Sequence, residues 1–268
     1  MRSETFSTPG PVRLNLEMPS GEIDLETAQT DETQVELEAL SSDDAVRDLV
    51  DNARIELIRR GDGHEVVVEA KGRRGISISI GSTGISLGGP QLRLRITCPH
   101  GAALDVRTKS ADLRARGEYG EVEVKSASGD VQVEQAQETR IKSASGDIRL
   151  DHVKADLEVQ TASGDVHVGE AGASVSANTV SGDQQFEAVQ EGRVDVKAIS
   201  GDVRIGIRRG SRFYVDANTV SGDTSSEFEL GEAPAQEDDP DAPLLEVFAK
   251  TVSGDVRIER ATAVPPRV

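Results

Sequence analysis

Short runs in which apolar and polar residues alternate recur along the chain. Early examples are Val12-Arg13-Leu14-Asn15-Leu16, Val35-Glu36-Leu37-Glu38, Ile76-Ser77-Ile78-Ser79-Ile80 and Leu92-Arg93-Leu94-Arg95-Ile96. Period two is the spacing of a strand with one buried face, and clusters such as Gly88-Gly89-Pro90 mark the turns between strands. One segment departs from this rhythm. Val46, Leu49 and Val50 fall on one face at helical spacing, which predicts a short amphipathic helix near residues 42–51, capped by Ser42 and laid on the end of a sheet.

From about residue 101 the alternation is organised by a repeat. Ser-Gly-Asp occurs seven times, with its aspartates at Asp130, Asp147, Asp165, Asp183, Asp202, Asp223 and Asp255. The steps between them are 17, 18, 18, 19, 21 and 32 residues, and Lys109-Ser110-Ala111-Asp112 reads as a degenerate earlier copy. A unit of this length cannot bury a core alone, so copies must stack on one another. The fold class that follows is all-β: a single-stranded β-helix or β-solenoid with about 18 residues per coil, right-handed, with one short helix near its N-terminus. Residues 1–100 form a β region that caps the solenoid and is continuous with it, residues 101–260 form the repeat, and 261–268 a tail. The long last step holds an acidic, Pro-rich insertion at 231–243, expected to be a disordered loop. The prolines of the tail are expected to blunt the open end of the stack.

Aligning the copies on Asp resolves the inward positions. Eight and six residues before it stand pairs such as Val122 and Val124, Leu157 and Val159, Val194 and Val196, Val247 and Ala249. One and three after it stand pairs such as Val131 and Val133, Ile148 and Leu150, Val203 and Ile205; Gln184, Thr224 and Ser226 are polar exceptions. The two sets have opposite parity, so the chain must change phase between them. The column three before Asp (Ala127, Ala144, Ala162, Val180, Ile199, Val220, Val252) shares the parity of the second set and is read as inward, which puts the change at a bend or bulge at Lys125-Ser126 and its equivalents. The alternative is that Ser-Gly-Asp itself turns, with its glycine at positive φ. Either way the corner is built around Gly129, Gly146, Gly164, Gly182, Gly201, Gly222 and Gly254.

Composition narrows the function. The net charge is −18, which argues against nucleic acid and anionic membranes as partners. There is no Trp, and aromatic residues make up 3% of the chain, too few for the stacking platforms usual in sugar clefts. The one cysteine, Cys98, excludes an intrachain disulfide. No apolar run follows a basic start, so no signal peptide and no membrane insertion are expected, which points to the cytoplasm.

Stacked coils would place the seven aspartates in a ladder. Such a ladder invites a cation, but one carboxylate per coil is a poor match for a cation that takes six to eight oxygens. The expectation is that each Asp accepts bonds from its own turn amides and holds no metal. His64, His100, His152 and His167 share no column, and Ser-Gly-Asp has no His at fixed spacing, so no catalytic residues and no cofactor are assigned.

The pattern Val-x-Val-Lys-Ser/Thr-Ala/Val-Ser-Gly-Asp-Val-x-Val across residues 100–260 resembles the bacterial β-strand-repeat family of adhesin-like proteins, of actinobacterial type. The opening Phe6-Ser7-Thr8-Pro9-Gly10-Pro11 is similar to that family's N-terminal region. The resemblance implies a β-solenoid with an adhesion or surface-interaction role at the cell surface, and brings no catalytic residues. The leading reading is a non-enzymatic module that presents a flat face to an unknown protein or surface partner, with self-association open. The alternatives are a cytoplasmic self-assembling scaffold similar to bactofilins and a β-helix carbohydrate-active enzyme.

Overall fold

In the computed structural model, residues 1–70, 92–228 and 243–261 are described. The predicted strand Ile76–Ile80, all but Pro243 of the loop at 231–243, and all but Ala261 of the tail at 261–268 lie outside them. The chain forms two compact units, Met1–Gln132 and Val133–Val268.

The first unit is built round one long strand. Its elements are β1 (Arg2–Ser7), β2 (Val12–Ala28), β3 (Glu32–Ala39), α1 (Asp44–Asp51), β4 (Arg54–Arg60), β5 (Gly63–Glu69), β6 (Leu92–Pro99) and β7 (Ala102–Ser128). β2 runs parallel to β7 along both its halves. Its other edge is shared, Val12–Glu17 pairing β5 and Gly21–Ala28 pairing β6. The division falls at Gly21, whose φ is 119° and whose missing side chain would otherwise strike the Leu92 carbonyl. Leu14, Leu16, Ile23 and Leu25 alternate into the core and are completely buried. β4 lies antiparallel on β5, and β3 antiparallel on β6. α1 starts one residue later than a Ser42 cap would place it. Asp43 is the cap, its carboxylate accepting from the Ala45 amide at 2.9 Å, while Val46, Leu49 and Val50 are buried as predicted.

The second unit is the repeat. Each coil contributes a strand before Ser-Gly-Asp and another after it. The strands are β8 (Val131–Ser143) and β9 (Ile148–Val153), β10 (Leu157–Ser163) and β11 (Val166–Ala171), β12 (Val175–Ser181) and β13 (Gln184–Val189), and β14 (Gly192–Ser200) and β15 (Val203–Ile207). The last two coils are β16 (Arg212–Ser221) with β17 (Thr224–Ser226) and β18 (Leu244–Ser253) with β19 (Val256–Arg260). Neighbouring coils pair in parallel, with register such as Leu157↔Val175 and Val175↔Val194. Both sets of inward columns are buried, Val159, Val194, Val196, Val203 and Ile205 among them at 0% exposure.

The coils do not stack in chain order. β18 lies between β14 and β16, and β19 between β15 and β17, so the last coil made is the next-to-last coil in space. The reason is burial. β18–β19 offers Leu245, Val247, Ala249, Val256 and Ile258, all buried, whereas β17 is Thr-Ser-Ser and wholly exposed. The apolar coil takes the inner place, and the coil with polar residues at core positions takes the outside.

Candidate interaction face

The phase change sits at Ser-Gly-Asp, not at Lys125-Ser126. Alternation runs on through the residue four before Asp, where Thr161, Thr179 and Thr251 are buried. Here a hydroxyl often holds the turn, Ser143 and Thr161 donating to the Ser145 and Ser163 carbonyls at 2.8 and 3.0 Å. All seven motif glycines have φ between 109° and 144°. At Gly164 a Cβ would also come within 2.2 Å of the Gly146 carbonyl, so the position is closed to side chains both by conformation and by the coil below.

The aspartates do form ladders, but not by capping their own turns. In the second unit the Oδ1 of Asp147, Asp165, Asp183, Asp202 and Asp255 accepts from the backbone amide of Asp165, Asp183, Asp202, Asp255 and Asp223 respectively, at 2.8–2.9 Å. In the first unit the Asp112 carboxylate receives the Asp130 amide at 3.0 Å. At the corner the flanking amides point the other way: Gly164 and Val166 donate to the Ser181 and Asp183 carbonyls. The Asp amide faces back, and the carboxylate below substitutes for the missing ladder carbonyl. One carboxylate oxygen per coil is thereby committed to the backbone.

Because the turn comes at the glycine, the column three before Asp points outward. Val180, Ile199, Val252 and Val220 are 50, 54, 49 and 81% exposed. The registers Ser181↔Ser200, Ser200↔Ser253 and Ser221↔Ser253 set them on four successive coils. This aliphatic ridge continues across the outward face of β14, β18 and β16. Five, seven and nine residues before Asp, that face carries Arg193, Lys197 and Lys250 against Asp195, Glu246 and Asp216, with Asn218, Phe248 and Tyr214 between them. Arg193 stacks on the Phe248 ring at 4.1 Å, Tyr214 lies 6.0 Å from the same ring, and Lys197 meets Asp195 at 2.8 Å. Three cations balance three anions here, on a chain whose net charge is −18.

The other singled-out residues do not converge. The His100 ring bonds Thr27 at 2.9 Å, and His152 and His167 sit beside Glu170 and Glu187 at 3.4 and 3.0 Å. Cys98 is fully buried, and burial pushes its thiol up to about 12, far from nucleophilic. Among the described residues no helix is long and apolar enough to cross a membrane.

A family model described as Toastrack DUF4097 matches residues 14–259. No curated protein matches the chain. Among solved structures, the chain is similar to a putative adhesin from Bacteroides fragilis NCTC 9343, at 11% identity over 96% of each chain with a TM-score of 0.48. A putative adhesin from Parabacteroides distasonis ATCC 8503 shares 11% identity over 96% of each chain, TM-score 0.41. A putative cell adhesion protein from Clostridium sporogenes ATCC 15579 shares 11% over 97% of this chain and 99% of its own, TM-score 0.31.

Proposed function

The chain belongs to the Toastrack DUF4097 family, and from that premise we propose that it is a non-enzymatic, adhesin-like binding module that presents a fixed β face to a protein partner. The observation that carries this is the exposed ridge Val180, Ile199, Val252 and Val220 beside the Arg193–Phe248 stack. Apolar, aromatic and Arg side chains held on a rigid sheet are the composition of interface centres. The local balance of charge fits a protein surface better than a phosphate backbone or a lipid headgroup layer, which call for a cationic patch. The scaffold reading needs coil edges open at both ends. In the first unit the β5 and β6 edges are followed by the antiparallel strands β4 and β3 and not by a further parallel coil, which favours the binding reading over coil-on-coil stacking.

The test compares beads coated with the wild-type chain and with an Ile199→Asp, Val252→Asp variant. Both side chains point outward, so the variant should melt with the wild type. Wild-type beads are expected to adhere to whole cells or isolated envelopes, and variant beads to lose that adhesion. Equal adhesion would remove the ridge from the function. Turnover of any member of a polysaccharide panel would overturn the non-enzymatic reading. Cell fractionation decides where the partner is met: recovery with the envelope places it on a surface, recovery in the cytoplasm places it inside.

A further inference from the structure

We infer that two copies of this chain join edge to edge through β16, antiparallel, about a two-fold axis at Ala217. β16 is the outermost strand of its unit. It pairs with β18 on one side and, among the described residues, with nothing on the other. Its backbone is already aimed for a second strand. The Arg212 amide donates to the Pro243 carbonyl at 2.9 Å, next to the Arg212↔Leu244 pair. The alternation of a parallel ladder then directs the amides and carbonyls of residues 212, 214, 216 and 218 at β18, and those of Phe213, Val215, Ala217 and Thr219 away from it.

Two conditions fix the register. Hydrogen-bonded antiparallel pairs must match residues whose backbone groups point at the partner, and inward faces must continue as inward faces. Both require odd-numbered residues opposite odd-numbered ones. Centred on Ala217, the pairing sets Asp216 opposite Asn218, Tyr214 opposite Val220 and Val215 opposite Thr219, each twice. The carboxylate meets an amide side chain. Tyr214 and Val220, 58 and 81% exposed, cover each other. Centring on Asp216 would oppose two like charges across the axis, and centring on Asn218 would set Asp216 against Val220. Centring on Tyr214 would set Arg212 opposite Asp216 but would engage only residues 212–216, so the Ala217 register is the self-complementary one that uses most of β16. The strand carries no Lys and no Pro, only the two charges Arg212 and Asp216, and its register is unbroken from Arg212 to Thr219. The edge strand β4, by contrast, carries Arg54, Glu56, Arg59 and Arg60. A second copy is therefore the occupant this edge fits, and the pairing does not depend on the binding role proposed above.

Sedimentation velocity of the full chain over a wide concentration range should show a reversible dimer. Ala217→Pro should give a monomer that melts with the wild type at concentrations too low for the wild type to dimerise, because among the described residues the Ala217 amide makes no ladder bond. Asn218→Asp opposes two carboxylates twice, and should weaken the dimer by about 2- to 30-fold. Asn218→Lys, facing Asp216 twice, should tighten it by a similar factor. Under oxidation Ala217→Cys should cross-link into a covalent dimer, since hydrogen-bonded antiparallel partners lie about 5.5 Å apart, within disulfide reach. Asn218→Cys should not, and buried Cys98 stays silent. A monomer at every concentration overturns the inference. So do equal cross-linking of the two cysteine variants, and a chain that dimerises only after residues 233–241 are deleted, which would assign β16 to the chain's own segment.

Discussion

The Asp of each Ser-Gly-Asp bonds to a residue one coil away, so its worth depends on keeping an acceptor, not a charge. Asp165→Asn retains an oxygen for the Asp183 amide and should change stability little. Asp165→Ala leaves that amide unmatched and should cost about 1–2 kcal/mol. Gly164→Val meets both a positive φ and the Gly146 carbonyl, and should cost more than either, on the order of 3 kcal/mol or above. Urea unfolding of the three variants checks the order; equal midpoints would show that the corner tolerates a side chain. Glu65 gives a pH signature. Asn15 and then Arg60 bond its buried carboxylate, at 3.2 and 2.6 Å, and hold it below the usual carboxylate range. A group whose pKa is lowered by folding contributes stability that is fully present above its unfolded pKa and lost as pH falls through the folded one. Glu65→Gln should therefore flatten the acid limb of melting temperature against pH while costing stability near neutrality. At this scale the glycine was legible in the sequence, because a tripeptide repeated seven times at the corner leaves few residues that can turn. The Asp partner was not: local turn chemistry points to amides close in sequence, whereas in a stack the nearest amide lies 18 residues later.

Strand alternation, the helix face and the coil length were all legible, since each rests on periodicity. The order of the coils was missed, although the signal was present. Thr224 and Ser226 occupy columns filled by Val, Ile or Leu in most other coils, and a coil with polar core positions belongs at an end. Gln184 shows why that signal is ambiguous. It also breaks the pattern, yet it is buried within the stack, its amide donating to the Lys197 carbonyl at 3.0 Å. The outward ridge is ambiguous in the sequence for a related reason: Val180, Ile199, Val220 and Val252 are apolar and share the parity of the inward positions after Asp, and only a turn at the glycine points them outward. The coil order makes a prediction opposite to that of chain order. Val247, with neighbours on both sides and 0% exposed, should lose about 2 kcal/mol on truncation to Ala. Val215, half-buried on the outermost strand, should lose well under half of that. Denaturant midpoints for the two variants decide it, and the reverse ranking would restore the simple order.

Taken whole, the molecule keeps a charge of −18 while its ladders place carboxylates on successive coils, and divalent cations are the obvious question. The carboxylates of Asp112, Asp147, Asp165, Asp183, Asp202 and Asp255 each have one oxygen on a backbone amide, which leaves too few donors per coil for calcium. Calcium is expected to shift the melting temperature no more than magnesium at matched ionic strength. A rise specific to calcium, abolished by Asp147→Asn with Asp165→Asn, would make the ladder a metal site. The displaced last coil has a consequence in time. A ribosome finishes β16–β17 before any residue of β18 exists. At roughly 5–20 residues per second, the 34 residues from Ser226 to Arg260 take about 2–7 s to appear. During that interval the nascent chain ends in a coil whose permanent neighbour has not been made. The β14 edge it could occupy must stay vacant, or be vacated, for the later arrival. Assembly of this stack therefore cannot simply follow synthesis: β18–β19 must dock on β14–β15 before β16–β17 can take its permanent place.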